Sequence, residues 1–263
     1  MPDAVICGYA RTPFGKFRGA LSSYSAVELG IKAVEELLSR TGIDPSLGAI
    51  DQVYMGQVLQ AGAGQAPARQ VALGCGMPNS TPCTTINKVC GSSLKAVMIA
   101  ATEIRAGISE LVVAGGMESM SNAPRFIRDA RRGEDVPFKS LLSILSHDGL
   151  TDAYSGELMG NTGETCALEY GISREESDAY SIRSHKLSAE GWENGEIGKE
   201  CVSMEELSID EGIRMDADMS TLISLKPVFS EDGQVTAGNA SQVSDGASAV
   251  LIASEETANS MGL

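Results

Sequence analysis

The chain has 263 residues, 43% hydrophobic and 21% charged, enough for one large domain or two ordinary ones with a sizeable core. Its net charge of −15 is carried by residues 121–263, which hold eleven Lys/Arg against 26 Asp/Glu, whereas residues 1–120 balance nine against nine. That argues against non-specific nucleic-acid binding, which needs a basic face, and no run approaches the ~18 apolar residues of a membrane span.

The amino end, "MPDAVICGYARTPFG", has no basic stretch followed by an apolar one, so no secretory signal is expected. "AVIC" (4–7) reads as a short strand. "SYSAVELGIKAVEELLSRTG" places Val27, Ile31, Val34 and Leu38 on one helical face, with Gly42 as its stop. "IDQVYMGQV" (50–58) is a second strand, and Pro67 suits the first turn of the helix that follows. "TTINKV" (84–89) is a third strand. Leu94, Val97, Met98 and Ala101 then form a helical face ending near Gly107, and "ELVVAGG" (110–116) is a buried strand closed by a glycine turn. Strand and helix alternating at this rhythm predict a layered α/β domain on a parallel sheet.

From about residue 118 to 245 the rhythm fails and charge rises. Here "SREE" (173–176) is a capping box for one clear helix, and Asp232-Gly233 in "FSEDGQVTAG" signals a hairpin. "ASAVLIAS" (247–254) is again a strand, followed by a helical start in "SEETANSMG". The pattern therefore predicts one α/β domain, 1–117 with 246–263, interrupted by an insertion over 118–245. A basic island inside the acidic half carries Arg125, Arg128, Arg131 and Arg132; it reads as a solvated loop or subunit contact, or as an attractor for an anionic ligand.

Six cysteines (Cys7, Cys75, Cys83, Cys90, Cys166, Cys201) show neither C-x-x-C pairing nor a metal-ligand spacing with histidine, which suits reduced thiols in the cytoplasm. Cys90, in "INKVCGSSLKAV", differs from the others. A strand ending at Val89 and a helix starting near Gly91 put it where unpaired helix N–H groups and the positive dipole end favour a thiolate. Gly91, Ser92 and Ser93 leave space for an incoming group. The other five read as small packing hydrophobes. Of the two histidines, His185 sits on a charged helix and is expected to be exposed, and His147 to be structural.

"NKVCGSSLKAV" resembles the nucleophile motif of the thiolases. The likeness extends through "VICGYARTPFGKFRGAL", "VAGGMESMSNAP", "DGLTDAYSGELMG" and "LKPVFSEDGQVTAGNASQVSDGASAVLI", in that order and over nearly the whole chain. The resemblance implies a layered βαβαβαββ half with an inserted α+β loop domain serving CoA binding and subunit contacts. It implies acyl transfer between acyl-CoA units through a cysteine thioester, without cofactor or metal, CoA thioesters being the substrates. By the same likeness Cys90 takes the acyl group, Ser241 binds the pantetheine arm and Arg214 lies against the adenine of CoA. Leu150, Met159, Phe229 and Ala237 line the substrate tunnel, although plain core is their reading without the resemblance. It further implies an enzyme of fatty acid metabolism that is a homo-oligomer.

Departures accompany the likeness. Leu158 stands where acetoacetyl-CoA thiolases often carry a histidine, and "SQVSDG" leans toward thiolases of longer 3-ketoacyl chains. Neither the G-H-P nor the C-x-G-G-G motif of the second thiolase half occurs. The expectation is thus an amino-terminal half plus loop domain, without the carboxyl-terminal domain and its acid/base groups, nearly inactive alone and paired with a separate carboxyl-terminal half. The alternatives are a longer-chain 3-ketoacyl-CoA thiolase, or a non-catalytic CoA-binding or subunit-interaction module. A Cys–His hydrolase is more distant, since no nucleophile elbow of the G-x-S-x-G kind is present.

Overall fold

A computed structural model describes residues 2–128 and 137–263. In chain order its elements are β1 (Ala4–Arg11), a two-residue β2 (Gly15–Lys16), α1 (Ala26–Thr41), β3 (Gln52–Gly56), α2 (Pro67–Gly74), β4 (Cys83–Ile86), α3 (Ser92–Arg105) and β5 (Leu111–Ser119). The short strands β6 (Arg125–Phe126) and β7 (Leu142–Ser143) follow, then α4 (Met159–Tyr170), α5 (Arg174–Glu193), α6 (Met219–Ser224), β8 (Ser244–Ser254) and α7 (Glu255–Met261). Two compact units result. The first comprises Met1–Pro124, Glu200–Glu211 and Ser244–Leu263; the second comprises Arg125–Lys199 and Gly212–Val243.

The first unit is built on one sheet of order β1-β8-β5-β3-β4, with β2 also paired to β8. Strands β3, β4 and β5 are mutually parallel, but β8 runs antiparallel to both β5 and β1, so the sheet is mixed rather than parallel. The chain leaves β5 at Ser119 and re-enters at Asp245, its register partner, which forces β8 to run back along β5. An apolar pattern records that a strand exists and is silent about its direction.

One face of the sheet carries the main core. There α1 buries Val27, Leu29, Ala33, Val34, Leu37 and Leu38, while Ile31 is half-buried. Ser25 and Glu28 cap its start reciprocally, and Gly42 ends it at φ +69° in the left-handed region open to glycine. The opposite face is covered by α3 through Ala96, Ala100 and Ile104, packed on Tyr54, Val112, Ala114 and Ile252. The expected α3 face of Leu94, Val97, Met98 and Ala101 is met only in part: Val97 packs against this cluster, whereas Leu94 is 70% and Met98 58% exposed. Over its first turns the helix lies so near the sheet that only Ala96 and Ala100 fit beneath it, Ile104 fills the space farther along, and Leu94 and Met98 point away. Ile6 and Tyr9 of β1 are likewise exposed, and they alternate with Val5, Cys7 and Ala10, which pack on the α1 side.

Residues 118–124 and 200–211 lie in the first unit, whereas the sequence pattern assigns them to the insertion. Arg11 is the reason for the second stretch. Its guanidinium donates to Glu200 (2.7 Å) and in bidentate fashion to Asp210 (2.8 and 2.9 Å), and backbone bonds join Arg11 to Glu200 and Val202. The Glu211 carboxylate accepts from the N–H groups of Lys16 and Ala20.

The second unit is helical with irregular loops. The capping box at Ser173 and Glu176 opens α5 as the sequence predicts. The Asp232-Gly233 signal gives a turn closed by a single Pro227–Thr236 bridge rather than a paired hairpin, since Pro227 has no N–H to extend a ladder. In the basic island, Arg125 stacks over Phe138 and Arg128 bonds the His147 ring; Arg131 and Arg132 lie outside the described residues.

At Gly56 the sheet meets the start of α3 at close range: a Cβ there would lie 2.6 Å from the Ser93 nitrogen. Gly56→Ala is therefore expected to destabilise the protein by about 1–3 kcal/mol, as overpacking against backbone does. Urea unfolding checks it, and an unchanged midpoint would refute the close approach.

Candidate functional site

Strand β4 ends at Ile86, three residues earlier than its apolar run suggests, because Asn87–Cys90 form a tight turn into α3. The Asn87 carboxamide oxygen accepts from the Val89 N–H (3.0 Å). The Ser92 hydroxyl accepts from the Lys88 N–H (2.8 Å) and donates to the Val89 carbonyl (2.5 Å). Between these clamps Val89 is held at φ +48°, a conformation costing a β-branched residue of order 1–3 kcal/mol. The turn turns Cys90 outward, and the thiol is exposed. Gly91 caps α3 without a side chain, and the Gly91 and Ser92 N–H groups donate to the Lys88 and Val89 carbonyls (both 3.1 Å), which closes the turn beside the sulfur.

This turn stands at the carboxyl ends of the parallel strands β3, β4 and β5, the edge at which open α/β sheets collect ligands. The same edge holds the buried Gln57 and the Glu118 carboxylate, which accepts from the Val58 and Leu59 N–H groups (2.8 and 3.2 Å). Burial raises the pKa of Glu118, and these bonds oppose the shift.

Burial pushes the Cys75 thiol up to about 12 and the Cys201 thiol up to about 11, and it also raises Cys7 and Cys83. Cys166, on α4, is exposed and so departs from the packing role expected of it; a small apolar residue on a weakly amphipathic helix carries no burial signal.

The six other expected site residues lie in the second unit, where α4 and α5 hold the loops that carry them. Leu150 precedes Thr151, which bridges Leu158, the residue before Met159 at the start of α4. The Phe229 ring lies against Gly160, where an added Cβ would come within 2.2 Å of it, so Phe229 stands beside the first turn of α4. Glu164 of α4 accepts from the Gln234 and Val235 N–H groups (2.7 and 2.9 Å). On α5, the fully buried Asp178 pairs with Arg174 (2.7 Å) and accepts from Asn239 (2.9 Å). Asn239 in turn accepts from the Thr236 N–H (2.7 Å) and donates to the Gln234 carbonyl (2.9 Å). Ala237 and Ser241 are exposed on and beside this pinned turn. The neighbouring Gln242 donates to the Gly212 carbonyl (2.8 Å), which ties the turn to the segment carrying exposed Arg214.

His185 is half-buried rather than exposed, and its Nδ1 accepts the Arg214 N–H (3.2 Å). His147 is the exposed one, bonded to Asp148 and edge-on to Phe126. Among the described residues no cluster of three or more His, Cys, Asp or Glu could hold a metal ion, and no helix is long and apolar enough to cross a membrane.

Two outcomes are expected. Brief iodoacetamide treatment near pH 7.5 should label Cys90 fastest and Cys75 and Cys201 slowest, because a raised pKa keeps those two as unreactive thiols at that pH. Peptide mapping decides it, and Cys83 or Cys201 reacting as fast as Cys90 would count against a nucleophilic Cys90. Asp178→Ala, which strands Arg174 beside a lost partner, should cost about 3–5 kcal/mol in urea unfolding.

Comparison with known proteins agrees with this geometry. The family profile "Thiolase, N-terminal domain" matches residues 4–256. "Acetyl-CoA acetyltransferase 1" of Arabidopsis thaliana is 45% identical over 99% of this chain and 65% of its own length. "Probable acetyl-CoA acetyltransferase" of Escherichia coli K12 is 46% identical over 100% of this chain and 68% of its own. Among solved structures, the Acat5 thiolase from Ascaris suum in complex with coenzyme A superposes with a TM-score of 0.91 at 38% identity, over 99% of this chain and 68% of that one. The chain thus spans about two thirds of the length of the relatives it matches. It belongs to the thiolase family.

Proposed function

We propose that this protein carries the nucleophile of a thiolase-type acyltransferase, which joins two acetyl-CoA units into acetoacetyl-CoA and CoA or runs the reverse thiolysis. The observation behind this reading is Cys90, exposed on a strained turn at the amino end of α3, in a chain of the thiolase family. Its sulfur attacks the thioester carbonyl, the carbon–sulfur bond to CoA breaks, and the acyl group becomes a Cys90 thioester. The thiol proton passes to a base and then to the departing CoA thiolate. A base then removes the α-proton of a second acetyl-CoA, the resulting carbanion attacks the Cys90 thioester to form the new carbon–carbon bond, the carbon–sulfur bond to Cys90 breaks, and the proton passes to the released thiolate. The backbone N–H of Cys90 suits stabilisation of the oxyanion.

The second unit would hold coenzyme A: Leu150, Met159, Phe229 and Ala237 as the apolar wall, Ser241 on the pantetheine arm and Arg214 at the adenine. No metal or further cofactor enters this scheme, since the thioester supplies the activated carbonyl. The base and a second oxyanion donor would come from a complementary thiolase half, continuous with these residues or on a separate chain. Neither histidine here supports that role, since His147 is bonded to Asp148 and Arg128 and His185 to the Arg214 backbone. We place this activity in fatty acid metabolism, in a cytoplasmic homo-oligomer, and the six unpaired cysteines suit such a reducing compartment.

Incubation with acetyl-CoA should give an acetyl adduct at Cys90 by intact-mass and peptide analysis, absent from Cys90→Ala. In acetoacetyl-CoA thiolysis with the complementary half present, Cys90→Ala should lower turnover by roughly 1000-fold or more. Turnover that survives the substitution would end the thiolase mechanism for this protein.

A further inference from the structure

We infer that His185 is a positioning residue for the nucleotide end of coenzyme A, acting through the backbone of Arg214; this rests on the proposed reading of Arg214 as the adenine contact. Asp178 and His185 stand seven residues apart on α5, two turns or roughly 10.5 Å along its axis, and so share the inner face of the helix. Asp178 holds the turn beside Ser241 through Asn239. His185 holds the other proposed contact, since its Nδ1 accepts the Arg214 N–H at 3.2 Å. One rigid helix thereby sets the separation between the pantetheine-binding and nucleotide-binding segments.

The Arg214 segment needs such a tie. It has no regular structure, and its other fixed points are the Gly212 carbonyl, bonded by Gln242, the Arg214 carbonyl, which accepts from the Ala217 N–H (3.3 Å), and Asp218, which caps α6. Anchoring the Arg214 N–H fixes the Cα from which the exposed guanidinium reaches out, so less freedom is lost when a ligand is bound. The acceptor must be a neutral imidazole with its proton on Nε2. Burial first, and the charge of Arg214 second, lower the His185 pKa and keep the ring neutral at pH 7. The neighbouring Arg183 and Lys186 are exposed on the same helix; they lack an acceptor and could not replace it.

Titration calorimetry on the full chain with CoA, with the adenosine bisphosphate fragment of CoA and with pantetheine separates the possibilities. His185→Ala should weaken CoA and the nucleotide fragment alike, by about tenfold, the size of one lost positioning hydrogen bond, and leave pantetheine unchanged. His185→Asn, whose carboxamide oxygen can stand in for Nδ1, should restore most of the loss. Unchanged CoA affinity in His185→Ala, or equal weakening of pantetheine, overturns the inference while the CoA site stands. A wild-type chain that binds no CoA overturns the site reading, and the inference with it.

Discussion

The amino end of α3 rests on bare backbone, and the position of the nucleophile follows from that contact. A Cβ on Gly56 would lie within 3 Å of Ser92 and Ser93, and one on Gly116 within 2.7 Å of the Ser93 Cβ. These two glycines end β3 and the adjacent stretch of β5, so the helix sits directly on the edge where the parallel strands finish. Ala96 and Ala100 continue the close approach along the helix axis. The chain then has only Asn87–Gly91 in which to leave β4 and start a helix above the sheet. The positive φ of Val89 is the result, and the bonds from Asn87 and Ser92 offset its cost.

The second unit solves a different problem. Its loops have no sheet to absorb their backbone groups, so side chains from α4 and α5 must do so. Glu164, Asp178 and His185 each accept from, or orient a group that accepts from, a loop N–H. The Arg174–Asp178 pair, with its carboxylate fully buried and its guanidinium partly so, illustrates the balance of terms. Burying two charges is costly, and the ion pair alone rarely repays it. Here Asp178 also orients Asn239, and Arg174 donates to the Leu222 and Leu225 carbonyls, so one buried pair organises both the 234–240 turn and the end of α6. Its value lies in specifying a single loop conformation.

Elements with strong local signals were legible in the sequence. The capping box of α5, the glycine that ends α1 and the apolar run of β8 all depend on neighbours in the chain. Other features depend on contacts that local patterns do not encode. The antiparallel direction of β8 depends on where the chain re-enters, and the buried face of α3 on how near the sheet lies. Leu94 and Met98 point outward because small residues won the inner side, an inversion of the usual rule that the largest apolar residues mark the core. His185 was unreadable for a related reason. A histidine among charged residues looks solvated until a loop brings a backbone donor to its ring.

That inversion bears on the chemistry. Helices normally cover both faces of a sheet with parallel strands, yet on the α3 side the outward surface is itself apolar: Leu94 and Met98 on the helix, Ile6 and Tyr9 on β1. A solvated helix would carry Lys or Glu at such positions, so this surface has the composition of an interior awaiting a further layer. Cys90 begins the same helix. Any layer laid over α3 must therefore come close to the sulfur, and would exclude water from it while bringing its own polar groups. The requirement for a base near Cys90 and the requirement to cover Leu94 and Met98 are met by one event, which is why we assign both to the complementary thiolase half.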